Sequence, residues 1–248
     1  MIEVKGLSKA FGDKQVLKDI SANFEAGVTS LIIGASGSGK STLARCLVGL
    51  IEPDQGEVLY DGRDFVHMTT KERKTVRKEI GFLFQGSALF DYFTVRENVR
   101  FPLDILTDMT SKEKEMRVDS VLERVELTDA HALYPSELSG GMKKRVGIAR
   151  AISPSPRYLF CDEPNSGLDP QTSIVIDALI QEITKENEMT TLVITHDMNS
   201  VIEIGEYIMF IHYGEKWWEG TNKEIMQTDN KEILDFVNAS GMMTRKRV

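Results

Sequence analysis

The sequence predicts an α/β fold in which a parallel-sheet core is joined to an N-terminal antiparallel β subdomain and an inserted α-helical subdomain. Three observations carry this. The run Gly34-Ala35-Ser36-Gly37-Ser38-Gly39-Lys40-Ser41 follows the apolar stretch Leu31-Ile32-Ile33, in the strand, loop, helix order that wraps nucleotide phosphates. Short apolar runs at 29–33, 158–161 and 191–195 alternate with helical patterns, as buried central strands covered on both faces do. From Phe90 to Ile152 the pattern turns to helical periodicity, which interrupts the core. A single nucleotide-binding unit is therefore expected over 1–248. Its core is expected at 1–89 and 153–220, the helical subdomain at 90–152, and C-terminal helices with a tail at 221–248.

The elements follow in order. Ile2–Leu7 and Gln15–Phe24 alternate apolar and polar residues on either side of the turn Phe11-Gly12-Asp13-Lys14, which reads as antiparallel strands. Thr29–Ile33 feeds the phosphate loop, and a helix from Thr42 to Leu50 follows it. Gly56–Tyr60 with Asp61-Gly62 forms a strand and a turn, and Ile80–Phe84 is a strand ending at Gln85. The helical block divides into Thr94–Phe101, Ser111–Leu127 (apolar at Met116, Val118, Val121, Leu122 and Val125) and Ser139–Ile152. The strand Tyr158–Cys161 comes next; Asp169-Pro170 caps a helix over Gln171–Asn187, and the strand Thr191–Thr195 follows. Short helices start at Asn222 and Lys231. Trp217 and Trp218, read on a strand, point to opposite faces, one toward the core and one toward the surface. Arg245-Lys246-Arg247 reads as a short solvated basic tail.

Composition bounds the function. At 248 residues, with 41% hydrophobic and 27% charged residues, the chain fits one large globular unit and neither a disordered nor a fibrous class. A net charge of −8 argues against nucleic acid as its main partner. The N-terminus has no signal-peptide pattern and no apolar run approaches the length that spans a bilayer, so a cytosolic chain is expected. Cys46 and Cys161 lie within apolar segments and read as small buried hydrophobes.

The chemistry rests on three segments. In the phosphate loop, Gly34, Gly37 and Gly39 let the backbone curl, with Ala35, Ser36 and Ser38 between them, so that N–H groups point at phosphates. Lys40 supplies a charge for the β- and γ-phosphates, Ser41 a hydroxyl for Mg²⁺, and Thr42 opens a helix whose N-terminus attracts anions. A phosphate loop alone fits kinases, GTPases and ATPases. The run Arg157-Tyr158-Leu159-Phe160-Cys161-Asp162-Glu163 narrows the choice, because an apolar strand ending in two carboxylates beside such a loop suits Asp162 to hold Mg²⁺ and Glu163 to polarise an attacking water. A capping or surface Asp-Glu pair is the plainer alternative. In Leu138-Ser139-Gly140-Gly141-Met142-Lys143-Lys144-Arg145, Ser139 is a good N-cap and the glycines admit an anion to the first backbone N–H groups. A second anion site in one chain invites two copies to sandwich nucleotide head to tail; an ordinary helix start is the competing reading.

Together these residues resemble the ATP-binding subunit of ABC transporters along nearly the whole chain. The resemblance rests on Gly34 to Ser41, Gln85, Leu138 to Met142, Asp162-Glu163, Ser166-Gly167-Leu168-Asp169, and His196 after the strand Thr191–Thr195. It implies a P-loop NTPase (RecA-like) core that uses ATP and Mg²⁺. It also implies that Phe11 stacks on adenine, that Gln85 senses Mg²⁺ and relays to a membrane subunit, and that Glu163 is the catalytic base. His196 would contact the γ-phosphate and Asp169 would lie across a homodimer seam. Met142 stands where most members carry Gln, replacing a hydrogen-bonding side chain with an apolar one. The stretch Gln85 to Val99, Phe101-Pro102-Leu103 and the Met-ending signature look like the Mla/Mce-associated branch. Those ATPases sit on the cytoplasmic face of the bacterial inner membrane and pair with a permease and a Mce-type lipid-binding protein to move phospholipid. Leu89, Phe90 and Tyr92, in the segment Gln85 to Phe93 where the family docks its permease, are expected either in an apolar receiving groove or in the subdomain core. Other cargo (an amino acid or a lipoprotein), a cell-division ATPase and a soluble iron–sulfur assembly ATPase are the alternatives.

Overall fold

The computed structural model describes residues 1–239; the basic tail at 245–247 lies outside them. Two sheets form the frame. The first is antiparallel, in the order β2-β1-β4-β5, from β1 (Ile2–Phe11), β2 (Lys14–Phe24), β4 (Gln55–Tyr60) and β5 (Arg63–Asp64). Phe11 pairs with Lys14, so the expected four-residue turn tightens to Gly12-Asp13, with Gly12 at a φ of 57°. Phe11 is thereby held at a strand end, 50% exposed.

The second sheet runs β10-β9-β3-β8-β7-β6. Its parallel members are β3 (Thr29–Ile33), β6 (Ile80–Leu83), β7 (Tyr158–Asp162), β8 (Thr190–Ile194) and β9 (Tyr207–His212); β10 (Glu215–Gly220) closes it antiparallel. Every residue of β3, β7 and β8 is buried, because one core covers each face. Leu31, Ile33, Leu159 and Val193 face the helices, while Ile32, Phe160 and Leu192 face β1, β2, β4 and α1 (Lys40–Leu47). Cys46 and Cys161 are free and buried, as their apolar settings predict.

Between Val95 and Ile152 the described elements are all helical: α3 (Val95–Leu106), α4 (Ser111–Arg124), a 3-10 turn (Pro135–Glu137) and α5 (Gly140–Ile152). Each of α3 and α4 starts on a Thr capping box, Thr94 with Glu97 and Thr110 with Glu113, which satisfies orphan N–H groups reciprocally. α3 continues past Phe101 through Pro102; the missing N–H costs one ladder bond, but fully buried Leu103 anchors the following turn. α4 stops short of Leu127 because Glu126 turns left-handed, φ 57°, and Leu127 N–H then closes onto the Leu122 carbonyl.

Besides the two-residue β5 and the 3-10 turn, three elements go beyond the sequence reading: α2 (Thr70–Lys78), α7 (Met198–Ile204) and β9. α2 is almost wholly polar, with Val76 its one buried residue, so apolar periodicity cannot reveal it; its Thr69/Glu72 capping box is the signal that does. α6 (Pro170–Glu186), α8 (Asn222–Ile225) and α9 (Lys231–Ala239) complete the chain. Trp218 packs on the core and Trp217 is 42% exposed, the opposed orientation expected of neighbours on a strand.

Candidate nucleotide site

The parallel register gathers the functional segments at one end of the second sheet. Leu83 pairs with Cys161 and Asp162 with Ile194, while Thr195 N–H reaches the Ile32 carbonyl at 3.2 Å. The loops after β3, β6, β7 and β8 therefore leave together, carrying Gly34–Ser41, Gln85, Glu163 and His196.

In the loop after β3, Gly34, Gly37 and Gly39 have φ of 147°, 78° and 111°, values that only glycine adopts without strain. A Cβ on Gly34 would meet the Ile211 carbonyl oxygen at 2.2 Å, so the loop's curl leaves no alternative residue there. Lys40 is buried and donates to the carbonyls of Gly34 (2.8 Å) and Ala35 (3.1 Å). Burial lowers its pKa, and the carboxylates of Glu163 and Asp162 oppose that. Ser38 Oγ is buried with no partner among the described residues, an acceptor-donor left for a ligand in a polar loop. Ser41 Oγ lies 3.5 Å from Asp162 Oδ1. The Asp162 pKa is raised, first by burial and then by the adjacent Glu163, the penalty that a cation between Ser41 and Asp162 relieves. The donor set of hydroxyl and carboxylate oxygens fits Mg²⁺.

Glu163 adopts a φ of 49° and its N–H bonds the Ile194 carbonyl at 2.9 Å. Its carboxylate sits 2.9 Å from His196 Nδ1. Gln85 is exposed, and its carbonyl accepts a bond from Lys144 Nζ. Lys144 also donates to the Glu163 carbonyl at 3.2 Å; it lies in the run Leu138 to Arg145, but the sequence assigns its side chain no role.

The signature segment lies apart from the phosphate loop. Ser139 caps α5 by accepting from Met142 N–H at 3.3 Å, and Ser139 and Gly140 are exposed. A Cβ on Gly141 would sit 2.8 Å from Thr172 Cγ2, so this end of α5 packs on the start of α6. Asp169 caps α6 through the N–H groups of Gln171 and Thr172, both at 3.0 Å. Met142 packs against the helical core, the apolar contact its side chain allows.

Of the three apolar residues expected in a receiving groove, the structure puts only Phe90 there. A 330 Å³ groove is lined by Phe82, Phe84, Phe90, Phe101, Pro102 and Ile105 among others. Leu89 packs into the helical core instead, and Tyr92 is 84% exposed outside the groove. The chain enters this segment through the left-handed pair Ser87 and Ala88, φ 61° and 46°, and Phe90 N–H donates to Asn98 Oδ1 at 2.8 Å, which holds Phe90 against α3.

A phosphate loop, a Mg²⁺-compatible hydroxyl and carboxylate, and a carboxylate–imidazole pair define a P-loop nucleotide hydrolase. The ABC transporter family profile matches residues 17–166, and the chain belongs to that family as an ATP-hydrolysing transporter subunit. It is 36% identical over 237 residues to the intermembrane phospholipid transport system ATP-binding protein MlaF of Haemophilus influenzae, covering 96% of this chain and 90% of that one. It is 40% identical over 249 residues to the methionine import ATP-binding protein MetN of Latilactobacillus sakei, covering 98% and 72%. Among solved structures, the dimeric ATP-binding cassette MJ0796 bound to ADP and Pi matches with a TM-score of 0.82 at 33% identity, over 90% of this chain and 99% of that one. ABC cassettes of this kind dimerise and work with membrane permease subunits. No helix among the described residues is long and apolar enough to cross a membrane.

Proposed function

We propose that this chain powers phospholipid transport between bacterial membranes, working as a homodimer beneath a permease on the cytoplasmic face of the inner membrane, with a Mce-type lipid-binding protein in the complex. The MlaF likeness, together with the Gln85–Leu103 stretch and the Met-ending signature, supports this cargo. Methionine or another amino acid is the second reading, favoured by the 40% identity to MetN. Purifying the complex with its membrane subunits and following fluorescent phospholipid transfer between vesicles decides between them. ATP-dependent lipid transfer is the expected result; ATP hydrolysis stimulated by methionine, without lipid transfer, overturns it.

Hydrolysis is carried by the Glu163–His196 pair, 2.9 Å apart. In the bound state, Phe11 stacks on adenine and residues 34–42 surround the phosphates, with Lys40 turned from its carbonyl partners toward the β- and γ-oxygens. Ser41, Asp162 and Gln85 would hold Mg²⁺, which would supply charge neutralisation on those oxygens. Glu163 accepts a proton from the water that attacks the γ-phosphorus as the bond to the β,γ-bridging oxygen breaks and ADP leaves, and His196 orients that carboxylate and contacts the γ-phosphate. Ser139, Gly140 and Gly141 bind the partner copy's nucleotide through the N-terminus of α5, with Asp169 at the seam. Residues 90–152 act as the helical arm, and the 330 Å³ groove beside it receives an apolar permease segment close to Gln85–Phe93.

A further inference from the structure

We infer that Lys144 is a positioning residue that ties the signature helix α5 to the backbone of the catalytic base Glu163 and to Gln85, so that α5 sets the orientation of the base in its own protomer. The inference rests on the reading of Glu163 as the base and goes beyond it, because Lys144 touches neither nucleotide nor metal in that scheme.

Lys144 is 5% exposed. Its ammonium donates to the main-chain carbonyls of Gln85 and Glu163 and makes no ion pair with a carboxylate among the described residues. An apolar side chain would fill this space without the cost of burying a charge, and burial accordingly lowers the Lys144 pKa. The charge is spent on two carbonyls, and both belong to loops that carry the chemistry. The Glu163 carbonyl is also bound by Ser166 N–H at 3.2 Å, and Glu163 holds a left-handed φ of 49°. Releasing its carbonyl would let that peptide relax toward ordinary backbone and swing the carboxylate away from His196.

The rest of α5 explains why a displacement would be transmitted. Arg150 donates to the carbonyls of Ser87 (2.6 Å) and Ala88 (2.7 Å), fastening α5 to the loop after β6 at a second point. Gly147 lets the helix lie close, since a Cβ there would fall 2.6 Å from Leu83 Cδ1. Arg150 does not reach Glu163; Lys144 bonds both loops. Lys144 lies five positions past Ser139, about 7.5 Å along the axis. A shift of the Ser139 end on engaging the partner's nucleotide therefore arrives at Lys144 as a rigid-body movement, and through it at the base of the other site.

The test is steady-state ATP hydrolysis by the intact transporter complex carrying Lys144→Met, which matches the aliphatic stem without the ammonium, and Lys144→Arg, which restores N–H donors. Lys144→Met is expected to lower kcat about 10- to 100-fold, the size of a small misplacement of a reacting group, with KM for ATP within about 3-fold of native. Lys144→Arg is expected to recover most of that loss. Native kcat in Lys144→Met, a raised KM at unchanged kcat, or no recovery in a folded Lys144→Arg overturns the proposal. If Lys144→Met does not fold, Lys144→Gln, whose shorter amide cannot span both carbonyls, is expected to show the same kcat loss, and native kcat there overturns it. Glu163→Gln is measured alongside. Native hydrolysis by that variant removes the base itself, whereas an inactive Glu163→Gln beside a fully active Lys144→Met removes Lys144 alone.

Discussion

Glu163 holds its carboxylate on a left-handed backbone, φ 49°, a conformation that costs a non-glycine residue about 1–3 kcal/mol. The Ile194 carbonyl, Ser166 N–H, Lys144 and His196 all fix it there, which is the over-determination that such strain requires. Glu163→Gln keeps the shape and removes the proposed base. It is expected to bind ATP normally and to lower kcat by about 10²- to 10⁴-fold, measured as phosphate release against nucleotide affinity. Lys40→Ala, by contrast, is expected to act on binding as well as on turnover. Loss of the buried ammonium should weaken ATP binding by at least about 10-fold, the worth of one charge-assisted hydrogen bond, read by titration with a fluorescent ATP analogue; unchanged affinity would exclude Lys40 from the phosphates. These residues are legible in the sequence because each belongs to a contiguous motif at a strand end. Lys144 is not, because its partners are backbone carbonyls 59 and 19 residues away, and a carbonyl carries no residue signature.

Between elements, a buried tie joins the loop after β7 to α6 and α7. Asn165 Nδ2 donates to Asp177 Oδ1 (2.8 Å) on α6 and to Ser200 Oγ (3.0 Å) on α7. Burial pushes the Asp177 carboxyl up to about 6, and the nearby Asp197 and Glu203 add to the shift. The sign follows from linkage. An unfolded Asp titrates near about 3.9, so between that value and 6 the folded chain binds more protons than the unfolded one, and stability falls as pH rises through this window. The loss is about 3 kcal/mol at most by neutral pH. Asp177→Asn removes the charge while keeping an oxygen acceptor for Asn165. It is expected to raise the thermal midpoint at pH 7.5 and leave it nearly unchanged at pH 4; a greater loss at pH 7.5 than at pH 4 would show that the ionised carboxylate stabilises this fold. The elements themselves are unequally legible. Buried strands such as β3 and β7 stand out as apolar runs between polar loops. The polar helix α2 does not, since tertiary contact rather than apolar period holds it through Arg73 and Arg77, whose guanidiniums bond the carbonyls of Phe65, Val66 and Gly49. The groove beside α3 is equally hidden, because residues 89–92 lie in neither a strand nor a helix, where no period tells which of Leu89, Phe90 and Tyr92 lines it.

At the scale of the whole molecule, the two segments proposed to bind anions are not joined within one chain. Among the described residues no hydrogen bond joins 139–141 to the phosphate loop; the signature end of α5 packs instead on α6 beside Asp169, with Ser139 and Gly140 exposed. A partner copy bringing its own phosphate loop to that surface would complete both sites at once, and ATP, bound by the pair more tightly than by either copy, would favour the dimer by mass action. Ser139→Arg tests this, because a long cationic side chain at the helix entry blocks the approach of a second protomer. The substitution also removes an N-cap worth about 1 kcal/mol, so Ser139→Ala, which removes the cap without the bulk, is the control. In a Glu163→Gln background saturated with Mg·ATP, small-angle scattering of the complex is expected to report closely paired cassettes for the parent and for Ser139→Ala, and separated cassettes for Ser139→Arg. ATP affinity of the isolated phosphate-loop site should stay within about 3-fold in all three, since residues 34–42 are untouched. Paired cassettes in Ser139→Arg at full ATP occupancy would mean that α5 does not form the second half of the site, and the composite pocket would have to be built from another surface of the partner.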